Sequence, residues 1–206
     1  AQEAAIFTET ADILAGLTDA TGLIKADSSI WELHVDDDGY NGKRHFAYTS
    51  ATASRGLTAA GYLAGQAGKP GTVYATATAA LKTAIGLQLV DKDGVLVNFP
   101  PADRSPKPPE NGVNDYNIDA SVVEVFNFGI IDPTSAIADA TLAAFDRELG
   151  GLSSGSPGMK RTNKRCPPGL GGCVQIVADW YNGYDIKEWI FVDFRVLQFL
   201  RMRPDP

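Results

Sequence analysis

The chain has 206 residues, 44% of them apolar and 21% charged, and a formal net charge of −7. This composition belongs to a folded globular protein and excludes disorder as the state of the whole. The acidic balance argues against nucleic acid and against an anionic membrane surface as partners, since both repel such a chain at long range, whereas a neutral carbohydrate is compatible with it.

Ala1-Gln2-Glu3 has the small residues of a processed start, which points to a secreted or periplasmic protein, with a cytoplasmic location as the alternative. Ala4 to Gly16 carries Ile6, Phe7, Ile13 and Leu14 at helical spacing, so a helix ending near Gly16 is expected. Thr21-Gly22 and Lys25 to Ser29 read as loop and lead into Ser29-Ile30-Trp31-Glu32. Asp36-Asp37-Asp38-Gly39 reads as a solvated turn, because three adjacent acids lack the alternation of a calcium loop. Arg44-His45-Phe46-Ala47-Tyr48-Thr49 then opens a stretch rich in Ala, Gly and Thr that runs to about Gly68, with Phe46, Tyr48, Leu57, Tyr62 and Leu63 as its large members. Small residues allow close approach, so this is expected to be an inner, tightly packed helix.

Pro70 is expected at the first position of the next helix, whose apolar stripe holds Val73, Tyr74, Ala77, Ala80, Leu81, Ala84 and Ile85. Leu87 to Val90 and Val95 to Val97, around Asp91-Lys92-Asp93-Gly94, read as a short hairpin. Pro100 to Asn114 is a proline-rich surface loop. Asp119-Ala120-Ser121 begins an apolar helix through Phe126, and Asp132-Pro133 reads as the N-cap and first residue of a helix ending at Gly150-Gly151, with Ile137, Leu142 and Phe145 on its apolar face.

Gly155 to Gly172 is rich in Gly and Pro, and its Lys160, Arg161, Lys164 and Arg165 read as a solvated basic loop. Cys166 and Cys173 leave two readings open, a local disulfide and two thiols; zinc-ligand spacing is lacking, so no metal site is expected. Glu188-Trp189 stands at the start of an apolar helix from about Ile186 to Met202. No apolar run approaches the roughly 20 residues of a membrane-spanning helix. The order of elements gives a mainly α class.

Two places join carboxylates to large aromatic faces: Trp31-Glu32 with Arg44, His45 and Tyr48 behind it, and Glu188-Trp189. Tryptophan faces pack on pyranose rings, Arg and His hold hydroxyls, and a carboxylic acid can protonate a glycosidic oxygen. The competing readings are a packed Trp beside a solvated Glu, a satisfied core histidine for His45, and simple N-capping for Asp119.

The string Ile30-Trp31-Glu32, a short polar insert, then Arg44-His45-Phe46 and Tyr48-Thr49 opening a small-residue helix, resembles the bacterial glucoamylase and trehalase-like enzymes of glycoside hydrolase family 15. Val95-Leu96-Val97, Ile118-Asp119-Ala120-Ser121, Ile130-Ile131-Asp132-Pro133 to Leu149, and Tyr184 to Phe191 are similar to later segments of that family in the same order. The resemblance implies an (α/α)6 toroid, with residues 1–206 forming part of one catalytic domain. It implies Glu32 as general acid, Trp31 and Trp189 as pocket walls, and Arg44, His45, Tyr48, Asp119 and Glu188 as ligands of sugar hydroxyls. It also implies an α-glucoside or oligosaccharide substrate and no cofactor. The family's second catalytic carboxylate and several of its helices have no counterpart here, so one or more companion chains are expected to complete the toroid. The alternative function is a non-catalytic carbohydrate-binding or interaction subunit with the same fold. The linkage, α-1,4, α-1,6 or α,α-1,1, is not specified by these residues.

Overall fold

A computed structural model describes residues 7–29, 43–103, 117–150, 158–163 and 189–204. Helix takes 59% of these, and pairing among them is confined to isolated bridges, so the class is mainly α, as the periodicities require. The chain divides into two compact units, Ala1–Leu89 and Val90–Pro206.

In the first unit a π-helical turn, Phe7–Ala11, runs directly into α1 (Asp12–Ala15), which closes at Gly16. The end falls where the sequence puts it, but the buried face is different. Phe7 and Ala11 are buried while Ile13 stands 56% exposed, because the wide turn shifts the register that a regular 3.6-residue helix would keep. The small-residue stretch forms α2 (Ala47–Gln66), which buries Ala47, Ser50, Ala51, Ala53, Ser54, Leu57, Ala60 and Ala64. It packs against α3 (Thr72–Gln88). The backbones approach closely at two glycines, where a Cβ on Gly71 would lie 3.0 Å from the Gly61 carbonyl oxygen. Since the small face makes this contact, Tyr62 and Leu63, expected among the packed residues, are exposed instead.

Pro70 lies before the cap rather than at the first helical position. Gly71 caps α3, and its carbonyl accepts the first helical bond from Ala75 at 3.1 Å. The buried stripe of α3 is Tyr74, Thr78, Leu81, Ala84 and Ile85, so Val73 and Ala80 of the expected stripe face outward. Tyr74 stacks on Phe7 and donates its hydroxyl to Asp12 at 2.7 Å, tying α3 to α1. α3 also takes in Leu87 and Gln88, which the hairpin reading assigned to a strand.

In the second unit that hairpin shrinks to one antiparallel bridge, Val90 with Leu96. Its turn is held by the Asp91 carboxylate, which accepts from the N–H groups of Asp93 and Val95 at 2.9 Å each. A 3-10 turn, Ala120–Val123, leads into α4 (Glu124–Asn127), with Asp119 as N-cap. Asp132 is not the cap of the next helix. Its carboxylate accepts from Thr134, and Ser135 caps α5 (Ala136–Leu149) by accepting from Ala138 N–H. The helix therefore starts later than Pro133, and it stops at Gly150, whose φ of 75° is the left-handed conformation that glycine adopts freely. α5 buries Ala138, Thr141, Ala144, Phe145 and Leu149, leaving the expected Ile137 and Leu142 at the margin.

The last helix, α6 (Ile190–Arg201), is capped by Trp189; Ile186 to Glu188, read as its first turn, lie outside the described residues. Phe199 stacks on Phe126 with ring centroids 4.6 Å apart, and Arg195 grips both oxygens of the buried Glu124 carboxylate. Among the described residues no helix is long and apolar enough to cross a membrane.

Candidate functional site

The head of α2 gathers three of the sequence-derived site residues. Asp27 and Arg44 exchange both backbone hydrogen bonds at 3.0 Å, an antiparallel pair that brings together the two ends of the segment containing Trp31 and Glu32. Trp31 and Glu32 themselves lie outside the described residues, as does Glu188. Arg44 is buried, and Tyr48, in the first turn of α2, is half-buried.

Between them stands His45, whose Nε2 is 2.7 Å from Asp19 Oδ2. Asp19 is built for this contact. Its other oxygen accepts from the Thr21 N–H at 2.8 Å and hydroxyl at 2.6 Å, a local turn that an Asp-x-Thr sequence makes on its own. Burial works to raise the Asp19 pKa, but the hydrogen bonds from Thr21 and His45 outweigh it and hold the group at about 2. An ionised carboxylate accepts from Nε2–H, which fixes the imidazole's tilt and leaves Nδ1 as the ring's other polar atom.

Beside this head lies a cavity of about 470 Å³, lined by Leu14, Leu17, Ile24, Ala53 and the more polar Lys25, Asp27, Thr49 and Thr52. Arg44, His45 and Tyr48 are not among its lining residues. The Asp27 carboxylate on its rim accepts from Ser29 N–H at 2.6 Å and Thr49 O–H at 3.2 Å.

In the second unit Asp119 and Trp189 are brought into one neighbourhood by residues 158–163. Asp119 pairs with Thr162, Ala120 N–H donates to the Arg161 carbonyl at 2.8 Å, and Asn163 N–H donates to the Ile118 carbonyl at 2.9 Å. Asp119 is fully enclosed: Oδ1 accepts from Ser121 N–H at 2.8 Å, as an N-cap, and Oδ2 from Asn98 Nδ2 at 3.4 Å. The capping reading therefore describes its geometry. Trp189 is half-buried, with its ring edge-on to Phe191 at 5.5 Å and the Arg161 guanidinium 5.7 Å from its centroid.

Arg161 corrects the sequence reading. Placed there in a solvated basic loop, it has no exposed surface, because the pairing with residues 118–120 carries it inside; Lys160 next to it is exposed. Lys164, Arg165, Cys166 and Cys173 fall outside the described residues. Asp19 was also missed. The sequence reads Thr21-Gly22 as loop, and nothing local ties Asp19 to a histidine 26 positions away.

Among the described residues, no group of three His, Cys, Asp or Glu is placed to hold a metal ion. No family model matches the chain, and no curated protein or solved structure does either.

Proposed function

We propose that the chain is the acid-bearing part of an inverting, exo-acting α-glycosidase of the glucoamylase or trehalase type, folded as part of an (α/α)6 toroid. The observation that carries the reading is the Asp27–Arg44 pair at the head of α2. It joins Asp27 and Arg44, the two described ends of the stretch whose sequence holds Ile30-Trp31-Glu32, next to His45 in a sequence order that resembles glycoside hydrolase family 15. The helical class and the half-buried Trp189 agree with that reading.

In such a site Glu32 donates a proton to the leaving glycosidic oxygen, and Trp31 packs on the sugar ring. His45, oriented by Asp19, and Arg44 and Tyr48 hold hydroxyls. The base that activates water on the opposite ring face comes from elsewhere in the toroid, at a carboxyl separation of roughly 6.5–9.5 Å from the acid.

Glu32→Gln keeps the shape and removes the proton. Assayed with the remainder of its toroid on maltose, isomaltose and trehalose, this variant is expected to lose turnover by about 10²- to 10⁴-fold while still binding sugar. Aryl glycosides with activated leaving groups should lose far less. Equal losses on both kinds of substrate would remove Glu32 from the acid role. Unchanged binding and no hydrolysis by the unsubstituted assembly would favour the non-catalytic carbohydrate-binding subunit.

A further inference from the structure

Arg161 is the largest side chain of the chain's described interior with no exposed surface, and its guanidinium lies against an indole that is itself only half-buried. A desolvated cation over an aromatic face is a directional contact, because the ring quadrupole rewards one placement of the plane. Three constraints hold the pair in place. The Arg161 backbone is fixed by its pairing with residues 118–120. The Trp189 backbone is fixed as the cap of α6, its carbonyl accepting from Val192 N–H at 2.8 Å and Asp193 N–H at 3.1 Å. The two segments are joined by Asp193, whose Oδ1 accepts from Met159 N–H at 2.9 Å. Phe191 meets the same ring at an interplanar angle of 80°. A buried cation and a neighbouring ring thus both bear on the orientation of this half-buried indole.

We propose that Arg161 is the positioning residue for Trp189. Its enclosed guanidinium sets the plane in which the half-buried indole meets a pyranose. The inference rests on the reading of Trp189 as a sugar wall, but the orienting role itself is a property of this chain without ligand.

The test uses the full chain labelled with 5-fluorotryptophan and assembled with the remainder of its toroid, the Trp189 signal being the one of the three ¹⁹F resonances that Trp189→Phe removes, and maltose as the probe. Maltose should shift the Trp189 resonance saturably. In Arg161→Met the Trp189 resonance should move or broaden before any sugar is added, and the maltose Kd should rise roughly tenfold, the order that a desolvated cation–π contact supplies. Arg161→Lys, which keeps the charge and loses the plane, should fall between; if the Met variant does not fold, the Lys variant decides by the same two measurements. A Trp189 resonance and a Kd both unchanged in the folded variants would overturn the positioning role. A Trp189 resonance that responds to Arg161 but never to maltose would leave the orientation standing and overturn the sugar wall.

Discussion

Asp19→Asn isolates the carboxylate that orients His45. In the folded chain that group sits at about 2 against an ordinary 3.8: burial pushes it up, and the hydrogen bonds from Thr21 and His45 pull it further down. Folding therefore favours the ionised form. The stability it contributes is complete above pH 3.8 and is lost as the pH falls through about 2. A gap of just under two units at about 1.36 kcal/mol each corresponds to about 2.4 kcal/mol. The side chain keeps 30% of its exposure, so screening by water lowers the expected effect to about 1–2 kcal/mol. Urea unfolding between pH 7 and pH 2 should show the natural chain losing that amount below pH 4, on top of the loss shared with the Asn variant. Carboxyl NMR should place the Asp19 titration near 2. A variant whose curve parallels the natural one throughout, or an Asp19 carboxyl titrating at its ordinary value, would refute the account of the His45 contact.

Gly158→Ala should destabilise the second unit by about 1–3 kcal/mol in thermal unfolding, because a Cβ there would lie 2.6 Å from Asp193 Oδ2 and push apart the contact that joins residues 158–159 to α6. Arg195→Met leaves the Glu124 carboxylate buried without its bidentate partner, and urea unfolding at pH 7 should show a loss of about 3 kcal/mol, partly recovered when Glu124→Gln is added. Ser135→Ala removes the side-chain cap of α5 and should cost about 1 kcal/mol, whereas Asp132→Ala, in the turn before it, should cost less. That ordering is the reverse of the one the Asp132-Pro133 signature suggests.

Helix existence was legible because long periodic segments carry it; helix faces and starts were less so. The stretch after His45 is helical as read, yet Tyr62 and Leu63 are outside, since the Gly61–Gly71 approach makes the small face the packed one. Pro70 and Pro133 both looked like first helical residues, but each is followed by a better cap, Gly71 and Ser135. The Asp119 cap needed only Asp-Ala-Ser and was weighed from the sequence. Arg161 was not, because four cations in a Gly- and Pro-rich context look solvated, and only pairing with a segment some 40 positions earlier brings one of them inside. Long-range pairing of that kind leaves no local pattern. The same holds for Asp19 and His45.

The Asp27–Arg44 pair also bears on how this protein can change over evolutionary time. Once two backbone bonds join the ends of a segment, the entropy of closing it grows only slowly with length, by about 0.6 kcal/mol for each doubling. A change in the length of the stretch between these two anchors therefore costs little in closure entropy as long as the anchors are kept. The helix pair behind the anchors has its own packed cluster, which includes Leu57, Ala60, Ala64 and Leu81. Length can therefore vary between the anchors while the packing of α2 on α3 is kept.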